Sequence, residues 1–422
     1  MSDDRGTLRV VAWNDLFPWL ALLRAFRLAI QARILALGAL AVVLTVVGWW
    51  GIGQMFSASG NEQLVQWIGA YGHWPRGDDS EPGASVEEMK RAPLGMAGPA
   101  DTIFEPPRFA ARADVPVLSA WFNVTGPFRQ LFEPGLTFVG LAFLLACALW
   151  VDLVWAFFGG VITRLIALQV TRHERGSLRA AVRYVLRRYQ AYFTAPLFPL
   201  FGMLLFVAPL AIVGLVGRSG GVGLAALALL WPAFLVAGLV VTIFLVGLIF
   251  GWPLMWPTIS AEGTDSFDAL SRSYSYVYQR PLHYLWFITL ACLLGALGWL
   301  FVQYFAATVI YMTAWSVSWG SGAEVFDVAT TAGQIRGFWL GLVQAVVAGF
   351  AYTFFFSAAT ITYFLLRYEV DGTETDEVFV DAGSEKFGLP AVAPDAAGVP
   401  TVVDDESSEN ELSTEGASDS VS

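Results

Sequence analysis

The sequence predicts an all-α polytopic membrane bundle, because six long segments are almost free of charge. A membrane-spanning helix needs about 20 apolar residues. Each segment is long enough: residues 34–55, 136–163, 196–217, 222–251, 283–313 and 337–366. The composition agrees, since 56% of the residues are hydrophobic and only 14% are charged, against about 25% charged in soluble domains. We therefore expect six transmembrane helices.

The other segments define the predicted domain organisation. Residues 1–33 form a cytoplasmic amphipathic segment, and residues 56–135 form an insertion outside the cytoplasm. The insertion is proline-rich without a sustained apolar period, so we predict a mostly irregular cap with short helices near 62–71 and 85–91. Residues 367–422 are rich in acidic and small polar residues, which cannot bury enough apolar area to fold. We predict a disordered acidic tail.

Arginine distribution predicts the orientation. Arginines concentrate before the first span, between the second and third, and between the fourth and fifth. Basic residues near span ends stay in the cytoplasm, which places both termini there.

The fourth span leaves two interpretations open. Residues 219–261 carry no charge, and Pro232 interrupts them. We favour one tilted helix that ends at the interfacial, proline-containing segment 252–257. Two half-spans, as in broken transporter helices, are the alternative.

An internal repeat is visible at an offset of 89 residues. It relates residues 136–217 to residues 222–313 in parallel orientation, ahead of a final span at 337–366. The identical positions are Ser177, Ala180, Arg183, Tyr189 and Gln190, which correspond to Ser266, Ala269, Arg272, Tyr278 and Gln279.

Each copy contains a predicted interfacial helix on the cytoplasmic side. Apolar residues recur at helical spacing: Leu178, Val182, Val185 and Tyr189 in the first, and Phe267, Leu270, Tyr274 and Val277 in the second. Ser177 and Asp265 suit the N-cap positions, and Asp268 suits the positive end of the helix dipole. A similar pattern covers residues 15–31, so we expect three helices around the cytoplasmic face.

Asp152 is the main candidate functional residue, because it lies well inside the second span. A carboxylate there costs about 3 kcal/mol on insertion scales. It either serves as an ion or proton site, or holds helices together through hydrogen bonds, for example with Gln303 or Gln344.

A basic stripe follows the second span. Arginines repeat every four residues, with one more beside the last: Arg175, Arg179, Arg183, Arg187 and Arg188. Anionic lipid headgroups contribute about 1 kcal/mol per base near the surface, so we predict headgroup binding. The stripe is short and the tail repels phosphates, which argues against nucleic acid.

Catalytic motifs are missing from the sequence. It has no HExxH, P-loop, GxSxG or dinucleotide fingerprint, and its three histidines lack ligand spacing. Glu262, Asp265 and Asp268 cluster, but acids at a helix start need no metal. We predict no catalytic residue, metal or cofactor.

Three stretches resemble a bacterial family of uncharacterised polytopic, six-span membrane proteins. They are residues 25–29 (AFRLA), 158–175 (beginning FGGVITRL and ending RHER) and 261–281 (AEGTDSFDALSRSYSYVYQRP). The last is also distantly similar to the membrane-domain module of some glycerophosphodiester phosphodiesterases, which is not their catalytic part. The resemblance implies six helices in a bacterial inner membrane and supplies no mechanism.

These observations leave two main hypotheses. The first is a non-enzymatic scaffold or accessory subunit, whose cap and acidic tail bind protein partners. The second is a small transporter or ion-coupling protein that uses Asp152. A membrane-embedded enzyme is disfavoured, since no paired His, Asp or Ser groups lie at span depth.

Overall fold

The computed structural model describes most of the predicted membrane part of the chain. It covers residues 17–57, 64, 67–68, 115–132, 136–172, 176–321, 325–326, 330–373, 378–379, 392–394 and 400–402. Residues 1–16, most of the insertion, Arg175 and most of the tail lie outside these ranges. The chain divides into two units, residues 1–378 and 379–422.

The first unit is helical. After a 3₁₀ turn at Pro18–Leu22, its helices are α1 (Leu23–Ala29), α2 (Ala32–Ser57), α3 (Pro116–Gln130), α4 (Phe138–Arg172), α5 (Leu178–Arg187), α6 (Tyr189–Thr194), α7 (Leu197–Gly214), α8 (Gly221–Glu262), α9 (Ser266–Gln279), α10 (Pro281–Ser318) and α11 (Thr331–Asp371). A second 3₁₀ turn, Leu215–Ser219, joins α7 to α8. Six of these helices are long and apolar enough to cross a membrane: α2, α4, α7, α8, α10 and α11. Among the described residues, the predicted number of helices with the length and composition of a membrane span is confirmed.

Helix α8 is continuous and does not end at its prolines. The predicted end at residues 252–257 is wrong, because the helix runs through Pro253 and Pro257 to Glu262. Pro253 has no N–H, so the Ile249 carbonyl four residues earlier loses its intrahelical donor. The indole Nε1 of Trp121 donates to that carbonyl at 3.2 Å. The helix finally ends at Gly263, which has a φ of 70°, a conformation that favours glycine.

The core lies where α4, α8 and α11 pack together. Trp155 stacks on Tyr352 with ring centroids 4.2 Å apart, and Trp256 lies 5.4 Å from Phe356. In contrast, apolar side chains of α7, α8 and α10 are widely exposed, and Leu229 is 83% exposed. A surface of this kind is stable in lipid and not in water.

Helix α3 was not predicted. It belongs to the insertion that we expected to be mostly irregular, yet it packs against α4, α10 and α11 and buries Val117, Ala120 and Val124. Its Gly126 and Pro127 obscure the helical period, because both residues disfavour helix interiors. Elsewhere in the insertion, Leu64 packs with Phe143 and Cys147 in a second, smaller core.

The short helices exist, and each predicted apolar face packs against the core except at its first position. Helix α5 buries Ala181, Tyr184 and Val185, whereas Leu178 is 40% exposed. Helix α9 buries Ala269, Ser273, Tyr276 and Val277, whereas Phe267 is 64% exposed. The predicted N-terminal helix is divided between a 3₁₀ turn and α1, which ends at Ala29.

The predicted caps have different outcomes. Asp265 is the N-cap of α9, and its carboxylate accepts a hydrogen bond from Asp268 N at 2.9 Å. Ser177 occupies the N-cap position of α5 but makes no capping hydrogen bond with its side chain.

Two tyrosines related by the 89-residue offset make the same type of bond. Tyr189 Oη donates to the Leu153 carbonyl at 2.8 Å, 36 residues upstream. Tyr278 Oη donates to the Ile243 carbonyl at 2.5 Å, 35 residues upstream. In both places a residue after a spanning helix bonds back to that helix.

The second unit contains an antiparallel pair of short strands. Strand β1 (Val392–Pro394) pairs with β2 (Pro400–Val402). The sequence did not predict them. The remainder of the predicted disordered tail lies almost entirely outside the described residues.

Candidate functional site

Asp152 lies on α4 at the wall of a cavity. Its side chain is almost fully buried, with 4% of the residue exposed. Within the described ranges, its Oδ2 atom has no hydrogen-bond partner. Neither Gln303 nor Gln344, the example partners of the helix-packing hypothesis, therefore bonds to this oxygen. A buried, unpaired acceptor costs about 1–3 kcal/mol, so the carboxyl group needs another explanation.

The Asp152 cavity has a volume of about 180 Å³ and is formed by four helices. Helix α4 contributes Asp152, α3 contributes Phe128 and Arg129, α7 contributes Met203, and α8 contributes Trp252. The indole Nε1 of Trp252 also lacks a partner among the described residues. The residues that line this cavity therefore include one with a buried, unpaired acceptor and one with a buried, unpaired donor.

A larger cavity of about 300 Å³ lies beside the first. Its lining is almost entirely apolar and comes from α3, α8, α10 and α11. Its tyrosine, Tyr284, already donates to the Phe250 carbonyl at 2.5 Å. Trp121 and Ile249 line both cavities, so the bonded pair from α3 and α8 lies between them.

The charged group nearest the cavity surface is Arg129. It is exposed, and its guanidinium lies 4.8 Å from the centre of the Phe122 ring and donates to the Phe122 carbonyl at 3.2 Å. No ion pair joins it to Asp152 within the part of the chain that the structure describes. The Arg129 charge thus lies at the exposed rim of the cavity, whereas Asp152 lies at its buried wall.

No known protein family, curated protein or solved structure matches this chain. The family that residues 261–281 resemble therefore stays a prediction. Function has to be argued from the geometry.

A second polar cluster joins the ends of α8, α9 and α11. Glu262 accepts a hydrogen bond from Tyr363 Oη at 2.5 Å. It also pairs with Arg272 at 2.8 Å and with Arg367 at 3.5 Å. Glu262 thus forms two ion pairs and a hydrogen bond. Burial lowers the pKa of Arg272, but Glu262, Tyr276 and Tyr363 together raise it by more, and the net shift is upward.

Nearby, Tyr276 Oη donates to Asp371 Oδ2 at 2.5 Å. Burial, and then this bond, raise the pKa of Tyr276, so its hydroxyl stays protonated and remains a donor at neutral pH. The sequence did not predict this cluster, because nothing in it shows that α9 and the end of α11 meet.

The arginines of the basic stripe have different surroundings in the structure. Arg179 and Arg183 are exposed on α5, and so is Arg187, while Arg175 lies outside the described residues. Arg188 belongs elsewhere, because its Nε donates to the Gly263 carbonyl at 3.3 Å and its guanidinium lies 4.3 Å from the centre of the Tyr184 ring. Arg188 connects α5 to the end of α8, so it is a structural residue.

The chemistry available at the Asp152 cavity is binding and proton exchange. A buried carboxyl can take a proton or a cation, and the surrounding apolar walls exclude water. Across the described ranges, no three His, Cys, Asp or Glu side chains come together as a metal site.

Proposed function

We propose that the protein is a membrane-embedded transporter or ion-coupled carrier that uses Asp152. The observation that supports this most is the buried carboxyl group with an unpaired oxygen at the wall of an apolar cavity. Intramembrane acids mark substrate or ion pathways when no structural partner holds them. Cavities between the helices of a bundle are also where ligands commonly bind.

The proposal places all six long helices across a bacterial inner membrane, with both termini in the cytoplasm. Exposed apolar side chains on α7, α8 and α10 support insertion, and arginine distribution supports the orientation. The matching bonds of Tyr189 and Tyr278 support a parallel repeat, and repeats of this kind are common in transporters. Cysteines introduced near either terminus should resist an impermeant maleimide in intact cells and react after lysis.

The scaffold hypothesis depends mainly on the insertion and the acidic tail. Most of both segments lies outside the described residues, so the structure does not test whether they bind a partner. That hypothesis stays a prediction.

Replacing Asp152 with asparagine should abolish transport while leaving the protein folded and abundant. The measurement is the transient current of proteoliposomes on a solid-supported membrane, challenged with apolar amines, apolar acids or neutral aromatic compounds. Wild type should give a current with one of these classes. Asp152→Asn should reduce it at least about tenfold, because the group that binds the proton or cation is removed.

Asp268→Asn is the matched control, since Asp268 is an exposed acid on α9. It should keep the wild-type current. A current that persists in Asp152→Asn, or its absence in wild type for every class, would refute the proposal.

We also propose that Arg179, Arg183 and Arg187 bind anionic headgroups at the cytoplasmic surface. Replacing all three with glutamine should reduce the anionic lipid retained after purification in mild detergent, because about 1 kcal/mol per base is lost. Native mass spectrometry measures the retained lipid. Arg129→Gln is a single-arginine control remote from α5, and it should leave retention unchanged; equal retention by the triple variant would exclude the stripe as a headgroup site.

A further inference from the structure

The two cavities beside α3 are both lined almost entirely by apolar surface. The lining of the smaller one, of about 180 Å³, also includes Asp152 and Trp252, whose buried Oδ2 and Nε1 atoms have no partner among the described residues. The larger one has a volume of about 300 Å³, and none of its described lining residues is charged. For scale, a cavity of about 150 Å³ in a protein core binds benzene. Each cavity is therefore large enough for a ring or a short branched chain.

Trp121 separates the cavities. Its indole lines both of them and is held by the hydrogen bond to the Ile249 carbonyl. Pro253 makes that carbonyl available by removing its intrahelical donor. If the Trp121 side chain adopts another rotamer, the two cavities join into one.

The charges around the cavities favour a ligand with a positive end. Asp152 is the acid at the wall of the smaller cavity. Two other ionisable side chains face it, Arg129 and Tyr189. Arg129 is exposed, and its guanidinium donates to the Phe122 carbonyl and lies over the Phe122 ring. The Tyr189 hydroxyl donates to the Leu153 carbonyl. Neither forms an ion pair or a hydrogen bond with the carboxyl group among the described residues. A buried acid without a partner is stabilised by a cation that brings its own hydrogen-bond donors.

We infer that the two cavities together bind an elongated apolar molecule that ends in a single protonated amine. The ammonium group pairs with Asp152, and the apolar body passes Trp121 into the larger cavity. The exposed rim residues Leu118, Phe122 and Phe132 are all apolar, which allows entry from the hydrocarbon layer. This inference rests on the proposed function and names its ligand class.

The test measures binding to the full-length protein in phosphatidylcholine nanodiscs by calorimetry. The probes are 4-phenylbutylamine, its alcohol analogue 4-phenylbutanol, and butylamine, which lacks the ring. Wild type should bind 4-phenylbutylamine at least about tenfold more tightly than the alcohol, because only the amine pairs with Asp152. It should also prefer 4-phenylbutylamine over butylamine about tenfold, because the ring fills the larger cavity.

Two kinds of variant separate these contributions. Asp152→Asn should remove the preference for amine over alcohol. Ala359→Leu fills the larger cavity from α11, and Leu118→Trp fills it from the exposed rim, where folding is not at risk. Both should remove the preference for the ring while the amine still binds better than the alcohol.

The outcomes distinguish this inference from the proposed function. Equal binding of amine and alcohol by wild type would overturn the ligand class, as would a preference unchanged in Asp152→Asn. If the Asp152-dependent current persists in that case, the proposed function stands with another ligand. If that current is also absent, both fail.

Discussion

Replacing Gly349 with alanine should prevent stable folding of the bundle. Gly349 lies where α11 crosses α2 with the two backbones in contact. A Cβ atom at this position would lie 2.6 Å from Ala39 N, 2.9 Å from Ala39 Cα and 3.0 Å from Gly38 C. All three atoms are backbone, so no side chain can move aside. Overpacking a core costs about 1–3 kcal/mol or more, and we expect the upper end here.

Gly337→Ala on the same helix is the matched control. No atom lies within 4 Å of a Cβ at Gly337, so the change meets open space, and alanine is favoured over glycine in a helix by about 1 kcal/mol. The measurement is the yield of monodisperse protein in mild detergent, followed by thermal unfolding monitored by tryptophan fluorescence. Gly349→Ala should give little monodisperse protein. Gly337→Ala should give a yield and an unfolding temperature equal to or above those of wild type. Similar behaviour of the two variants would mean that the helices do not cross at Gly349.

Glu262→Gln should destabilise the bundle strongly, because it removes the central charge of the cluster that joins α8, α9 and α11. The Glu262 side chain is 8% exposed and the Arg367 side chain 12% exposed, so the change removes a buried charge with which the Arg367 guanidinium pairs. Breaking a buried ion pair costs about 3–5 kcal/mol. The Arg272 side chain is 45% exposed, so water screens its part of the loss. We expect about 3 kcal/mol in total.

The control for charge removal is Glu369→Gln near the end of α11. Glu369 pairs with His283 at 3.1 Å, but the two side chains are 24% and 55% exposed, and exposed pairs contribute about 0–1 kcal/mol. Unfolding in lipid nanodiscs or mixed micelles gives both values. The double variant Glu262→Gln/Arg367→Gln should recover part of the loss, because neither charge remains buried alone. Equal losses for Glu262→Gln and Glu369→Gln would show that Glu262 is not the centre of the cluster.

The spanning helices could be predicted because their signal is local. Length and absence of charge identify a helix in lipid without knowledge of its neighbours. The prolines of α8 led us to predict the wrong C-terminal end for this helix, because their effect depends on residues that are distant in sequence. Whether Pro253 ends a helix depends on a donor for the Ile249 carbonyl, and that donor, Trp121, lies 128 residues away in the sequence.

The same limit applies to the candidate site. The sequence marks Asp152 as unusual, because a carboxylate inside an apolar span costs free energy wherever it faces. It does not show the cavity, because the walls come from α3, α4, α7 and α8. Periodicity predicted most of the positions of α5 and α9 that pack against the core, but it missed the buried Tyr184 and Tyr276. The partner helices decide how much of a short helix is covered, and periodicity alone does not.

The most direct test of the account is whether Asp152 reacts with N,N′-dicyclohexylcarbodiimide in the folded, full-length protein. This apolar reagent adds a protonated carboxyl group across one of its C=N bonds, and the product rearranges to a stable N-acylurea that mass spectrometry can locate. We predict modification at Asp152, none at the exposed Asp268, and protection by 4-phenylbutylamine. A folded protein that carries no label at Asp152 would contradict an accessible carboxyl group in an apolar cavity, and with it the proposed function.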